Sequence, residues 1–324
     1  MQSHRTGNRV LQYVLVLFIA ITLNFLLPRM MPGNPLALLA GADVGLMTPD
    51  QRAEVAERAG LDQSLVSQYV GYWGDLATGD FGYSFRQGRP IVDIIAERLP
   101  WTLLLAGTSL ALSALIGIAL GAFSAWRRGR PSDVSLLGLM IALDSLPSFW
   151  LGMLFVSLFA VQLGILPSSG AITAASSLEG IDLFVDIVEH AILPVVTLSL
   201  LSVPAVYLTM RYSMLSVLGE DFIRTARSKG VSEAGVLFRH VVRNALAPVV
   251  TVLALRLGFA FGGTVVIETV FSYPGLGRLI FEAVSGRDYP VMQATFLVFT
   301  VAVLLSNILA DFLYPLLDPR ARTA

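Results

Sequence analysis

The sequence predicts an all-α polytopic membrane protein with six transmembrane helices and both termini in the cytoplasm. Three observations lead there. Hydrophobic residues make up 55% of the 324 residues and charged residues only 14%, where soluble domains have about a quarter charged. The apolar residues fall in long uninterrupted blocks, and a hydrocarbon core of about 30 Å needs about 20 helical residues. Arginine is dense in alternate short connections and sparse in the others, the bias that orients helices across a bilayer.

The spans follow in order. Residues 1–9 form a cytoplasmic N-terminus carrying Arg5 and Arg9, and 10–27 are the uncharged first span. Its apolar core exceeds the about 7–15 residues of a signal peptide, and no small-x-small cleavage site follows it, so the helix is read as retained. Residues 28–98 are a long extracytoplasmic loop. Within it Thr48 caps a short helix, with Pro49 at the first position and Gln51 closing a capping box; Gly60 stops that helix. Gly79–Ser84 reads as a structured turn leading back to the membrane. The loop serves either as a solvated cover or as a docking surface for an external protein.

The second span, 99–126, is uncharged, and Gly117-x-x-x-Gly121 in it allows close helix packing. The third, 134–163, contains only Asp144, and an extracytoplasmic loop, 164–190, follows. Pro194 and Pro204 are expected to kink the fourth, 191–210. A cytoplasmic loop, 211–248, leads to the fifth span, 249–270, which holds Arg256, Glu268 and a second small-residue pair, Gly258-x-x-x-Gly262. The sixth, 291–317, holds Asp311, and 99–317 form the core domain. This topology puts Arg5, Arg9, Arg127, Arg128, Arg130, the basic residues of 211–248, Arg320 and Arg322 on the cytoplasmic side. The two shorter outer loops carry only Arg278 and Arg287.

Charges inside spans are costly in hydrocarbon and should face the protein interior or an aqueous path. Arg256 and Glu268 are separated by about 18 Å of helix at 1.5 Å per residue, so they do not pair. Glu268 is expected near the outer interface, half solvated. Arg256 and Asp144 are the candidates for a translocation path or intersubunit pairing.

Composition excludes several classes. The chain has no cysteine, so disulfides, thiolate catalysis and Cys-based metal sites are out. His4, His190 and His240 have no metal-ligand spacing. A net charge of −1 makes no case for nucleic acid. The one lysine, Lys229, is not preceded by phosphate-loop glycines, so an ATPase site is expected on partners and no cofactor on this chain. No Ser/His/Asp set or carboxylate pair suggests an enzyme. An ion-gradient-driven transporter or channel is the alternative, a class that shows internal repeats or broken helices around midplane charges.

The 220–248 segment is the most informative. Leu218, Phe222, Ile223 and Ala226 give a first short helix an apolar side, and Arg224, Arg227 and Lys229 a polar one. Gly230 suits the left-handed position that ends it. Ser232 can cap a second helix, where Leu237, Val241 and Ala245 recur every four residues beside an Arg239/Arg243 stripe. Pro248 then opens the fifth span. Physics alone permits a helix lying on anionic lipid; the break at Gly230 favours a compact knob inserted into a partner.

These residues carry a family resemblance. Arg224-Thr225-Ala226-x-x-x-Gly230 resembles the EAA loop of ATP-binding-cassette (ABC) importer permeases. RTARSKGVSEAGVLFRHVVRNALAPVV is similar to the first, DppB/OppB-like permease of the dipeptide/oligopeptide/nickel branch, as are MPGNP at Met31–Pro35, GDFGYSF at Gly79–Phe85 and ETVFSYPGLGRLIFEAVSGRDYPVMQA at Glu268–Ala294. Arg224-Thr225 replaces the Glu-Ala of the general motif, and its terminal proline falls at Pro248 rather than at Arg243; both departures fit the peptide branch.

The resemblance implies a type I ABC importer permease fold, a half-channel in a bacterial or archaeal cytoplasmic (inner) membrane. It also implies a second homologous (DppC/OppC-like) permease, two ATPase subunits or a fused pair binding ATP-Mg, and an extracytoplasmic solute-binding protein. Glu220, Asp221, Phe222, Arg224, Thr225, Ala226, Arg227, Lys229 and Gly230 would form the ATPase-coupling element, its basic residues meeting acidic partner groups. The implied cargo is di- or oligopeptide; similar permeases handle nickel chelates, glutathione and some sugars.

Overall fold

The computed structural model describes residues 2–30, 48–58, 63–84, 86–174 and 176–317, and it is almost wholly helical. In chain order the elements are α1 (Gln2–Met30), α2 (Pro49–Arg58), α3 (Leu65–Thr78), β1 (Tyr83–Ser84), β2 (Arg89–Pro90), α4 (Ile91–Trp126), α5 (Pro131–Asp144) and α6 (Ser148–Phe155). A π-helical stretch, Val156–Gln162, continues α6. Then come α7 (Gly180–Leu218), α8 (Asp221–Ser228), α9 (Glu233–Gly235), a second π-helical stretch (Val236–Val242), α10 (Arg243–Val270), α11 (Leu276–Gly286) and α12 (Tyr289–Leu317). The MPGNP motif, Gly60, Phe85, Arg320 and Arg322 lie outside the described residues.

Among the described residues four helices are long and apolar enough to cross a membrane: 91–126, 180–218, 233–258 and 289–312. The pair α5 and α6–162 meets the same test jointly but is bent by 100°, and α1 contributes a shorter apolar stretch, Leu11–Leu26. The third span is therefore not the straight helix expected over 134–163. Proline explains the break. Pro147 takes an extended conformation (φ −62°, ψ 134°) as the residue before α6; it has no N–H to continue a helix and disfavours helical geometry at Leu146. Asp144 ends α5 at this bend.

The chain divides into two compact units. The first comprises residues 1–102 and 274–304. The capping box forms as expected, Thr48 N–H donating to Gln51 Oε1 (2.9 Å) and Gln51 N–H to Thr48 Oγ1 (3.3 Å). Sequence reasoning missed α3, capped by Ser64, whose Oγ accepts from Ser67 N–H at 3.3 Å. It ends at Gly79 in the left-handed region (φ 78°). Its aromatic face packs on α1, with Phe25 and Tyr69 centroids 5.1 Å apart and Phe18 and Trp73 5.8 Å apart. The Gly79–Ser84 turn leads into the two-stranded β1–β2 hairpin, a small exception to an all-α fold. The hairpin is fastened to the end of α11: Arg86 Nη1 donates to Gly286 O (2.7 Å) and Ser84 Oγ to Asp288 Oδ2 (2.5 Å). Ile91, Ile94, Leu276, Leu279 and Val291 form the core of this unit.

The second unit comprises residues 103–273 and 305–324. In it α4 packs tightly on α7. A Cβ on Gly117 would lie 2.6 Å from Val206 Cβ, and one on Gly121 would lie 2.7 Å from the Tyr207 carbonyl oxygen. The second glycine pair differs: a Cβ on Gly262 would meet open space. The 39-residue α7 begins at Gly180, inside the expected outer loop, and runs unbroken past Pro194 and Pro204. Pro248 lies within α10 instead of opening it. Glu268 is fully buried instead of half solvated. The chain folds back at Ser272 (φ 49°) and lays Tyr273 beside it. Burial first, and then the Glu268 carboxylate, push the Tyr273 phenol well above its ordinary value.

Replacing Gly121 by valine should lower the thermal unfolding temperature of the solubilised protein, because overpacking costs about 1–3 kcal/mol. Gly262→Ala should leave it nearly unchanged. Fluorescence-detected melting of both variants checks the contrast.

Candidate functional site

The 220–248 segment folds as a knob on the second unit. Glu220, extended at φ −75°, precedes α8, and Asp221 sits in the first turn, where a carboxylate complements the helix dipole. At the other end Gly230 takes φ 77°, with Gly230 N–H donating to Arg227 O (2.9 Å) and Val231 N–H to Ala226 O (3.2 Å). This pair of bonds is a Schellman motif, which needs a residue tolerant of the left-handed region. Ser232 then caps α9, its Oγ accepting from Gly235 N–H at 3.2 Å. The helix after it widens to π-type bonding over Val236–Val242 before α10 begins.

The underside of the knob is fused to the transmembrane core. Ile223, Ala226, Val236, Val241 and Ala245 share one cluster with Val206, Met210 and Met214 of α7, Ala125 of α4 and Val249 of α10. One of the expected apolar contacts changes. Phe222 is 40% exposed instead of packed, while Leu218 and Leu237 pack against the cluster as expected and Val236 joins it fully buried. Helical geometry accounts for Phe222: Ile223 and Ala226 lie three residues apart on one face, and Phe222 falls beside it. The outer face shows Asp221, Phe222, Arg224, Thr225 and Lys229 to solvent. Arg227 is occupied within the chain. It makes a forked contact with Glu233 (3.0 and 3.2 Å) across the Gly230 break, whereas Arg224 lies 3.5 Å from Asp221.

Next to this core is a buried polar clasp that sequence reasoning did not find. Arg211, counted above among the basic loop residues, lies inside α7 and is 8% exposed. Its Nε and Nη2 donate to Asp133 Oδ1 (2.8 Å) and Oδ2 (3.0 Å) in the first turn of α5. Asp133 also accepts from Ser124 Oγ of α4 (2.5 Å) and from the Gly129 N–H (2.9 Å), and Ser124 contacts the Tyr207 hydroxyl at 2.6 Å. The only sequence signal was an acidic residue just after the Arg127–Arg130 cluster. Arg256 and Asp144, by contrast, form no ion pair among the described residues; Arg256 is partly buried and Asp144 exposed.

The arrangement is thus an exposed polar surface on a segment that shares its buried core with α4, α7 and α10. A crystal structure of an amino acid ABC transporter with histidines has the same fold, with a TM-score of 0.52 at 15% identity over 68% of this chain and 93% of that one. The chain belongs to the ABC importer permease family: residues 117–323 match "Binding-protein-dependent transport system inner membrane component" and residues 6–106 match "Binding-prot-dependent transport system membrane comp, N-term". It is similar to the glutathione transport system permease protein GsiC of Escherichia coli (strain K12), 40% identical over 320 residues, 97% of each chain. The protein of the same name from Shigella dysenteriae serotype 1 (strain Sd197) matches to the same extent. It is thus a multi-pass inner-membrane component of a binding-protein-dependent importer, a class that works with a partner permease, ATPases and a solute-binding protein.

Arg211→Ala should destabilise the protein strongly, by about 3–5 kcal/mol, because it leaves Asp133 charged, buried and unpaired. Arg211→Lys, a point charge in place of a fork, should fall between it and the wild type. Thermal unfolding in detergent ranks the three.

Proposed function

We propose that this chain is one half of the translocation path of a type I importer for peptide-class cargo, coupled to one ATPase subunit through residues 220–248. Its six spans would be α1, α4, the bent α5–α6 pair, α7, α10 and α12, with both termini cytoplasmic. The observation that carries the reading is the knob: an exposed polar outer face on an underside that shares its core with three membrane helices.

In this reading the outer face of α8 seats in a groove of the ATPase. Arg224 and Lys229 meet acidic groups there, Phe222 fills an apolar spot, and Arg227 stiffens the knob through Glu233. Closure of the two ATPases, driven by ATP-Mg on those subunits, pulls the knob. Because Ile223, Ala226 and Val236 are packed against Met210 and Met214, the pull falls directly on α7. The clasp extends it to the ends of α4 and α5. The path then opens outward, the solute-binding protein releases its cargo into it, and hydrolysis restores the inward-facing state. Arg256 and Asp144 are assigned to the path or to the contact with the second permease.

The relatives in hand are named as glutathione permeases, and glutathione is itself a tripeptide, so it heads the cargo candidates, followed by di- and oligopeptides. Calorimetry on the cognate solute-binding protein should find glutathione or a short peptide bound, with a nickel chelate or a sugar as the refuting result. Gly230→Val forces a β-branched residue into the left-handed region at about 1–3 kcal/mol of local strain. The reconstituted importer carrying it should assemble and hydrolyse ATP but lose about tenfold or more in uptake, about 1.4 kcal/mol of coupling. Undiminished transport by a correctly assembled variant would refute the coupling role.

A further inference from the structure

The turn between α4 and α5 carries three exposed arginines, Arg127, Arg128 and Arg130, and none of them is in an ion pair among the described residues. The nearest carboxylate in sequence, Asp133, is committed to Arg211. Beside this turn an open groove of about 560 Å³ runs between the two helices, lined by Leu120 and Phe123 of α4 and Ser132, Ser135, Leu136 and Leu139 of α5. That volume is within the about 300–1,000 Å³ typical of small-molecule sites. The groove surface is almost wholly apolar, and Ser132, the lining residue nearest the turn in sequence, marks its arginine end. From Ser132 to Leu139 the groove extends about 10 Å along α5 at 1.5 Å per residue. The Arg127 guanidinium lies over the Phe123 ring, 4.6 Å from its centroid, so the basic end and the apolar trough are one continuous surface.

We propose that this groove and turn bind one anionic phospholipid, with an acyl chain in the trough and the phosphate held by Arg127, Arg128 and Arg130 beside the Ser132 hydroxyl. Charge and shape select this occupant. A phospholipid supplies an anion at the interface and an apolar chain running inward, in the order this surface presents them, and basic pockets between membrane helices on the cytoplasmic side recruit anionic headgroups. A second permease subunit would have to bring carboxylates to the same level. The placement rests on the topology proposed above, because the Asp133–Arg211 pair ties this turn to the end of α7 that leads into the knob. The headgroup would also brace the clasp, since Gly129 in the same turn donates to Asp133.

The test uses the assembled importer in nanodiscs of mixed phosphatidylglycerol and phosphatidylcholine, with a photoreactive benzoylphenylalanine in place of Leu139. Illumination should give adducts of phospholipid mass, with phosphatidylglycerol favoured about tenfold, and Arg127→Gln/Arg128→Gln/Arg130→Gln should bring the ratio to about one. If the triple variant does not assemble, raising the salt on the unmutated turn should erode the preference in the same direction. Adducts to the second permease, equal capture of both lipids, or a preference indifferent to the substitutions and to salt would each overturn the proposal. Uptake measured in sealed proteoliposomes of the same lipid composition reports the importer function separately, so loss of one result does not imply loss of the other.

Discussion

Burying a charge is tolerable only when it is paired and hydrogen-bonded, and the Asp133–Arg211 clasp applies that constraint where three membrane helices converge. Asp133 accepts from Arg211 through two bonds, from Ser124 and from the Gly129 N–H, and the Ser124–Tyr207 contact closes the set. The end of α4, the start of α5 and the C-terminal part of α7 therefore cannot separate without stranding a charge. Breaking a pair of this kind costs about 3–5 kcal/mol, a large fraction of the about 5–15 kcal/mol by which a domain is stable. The glycine contacts of α4 on α7 set the helix spacing that lets the clasp close.

What holds the knob to this framework is apolar burial. The Arg227–Glu233 fork lies at the surface, with side chains 44% and 60% exposed, where an ion pair contributes about 0–1 kcal/mol. Ile223 and Val236 are wholly buried in the shared cluster, and each such side chain is worth about 1.5–3 kcal/mol. The ion pair acts chiefly on shape, bridging the two sides of the Gly230 break, while the core supplies the attachment. The exposed residues of α8 are then free to meet a partner without loosening the attachment.

Much of the architecture was legible in the sequence because it depends on local pattern. The apolar blocks placed the helices, Thr48 and Gln51 announced a capping box, Gly230 announced a left-handed stop, and Gly117 with Gly121 announced close packing. The misses share a cause. Helix α3 carries its apolar character as a tyrosine and tryptophan face, weak on a hydropathy scale. The third span bends at a single proline, which hydropathy does not register. Phe222 and Glu268 exchanged places, the aromatic residue exposed and the carboxylate buried, because each follows the direction of a side chain and not its polarity.

The family and the helical membrane character were determined by the sequence itself, through motif order and through each residue's own preference for lipid or water. Tertiary structure decided which charges meet. Asp133 and Arg211 stand 78 residues apart, and Arg211 looked like one more basic loop residue until α7 was seen to run on past it. Hydropathy is a property a residue carries alone; the pairing of a buried charge belongs to the neighbours that folding brings around it.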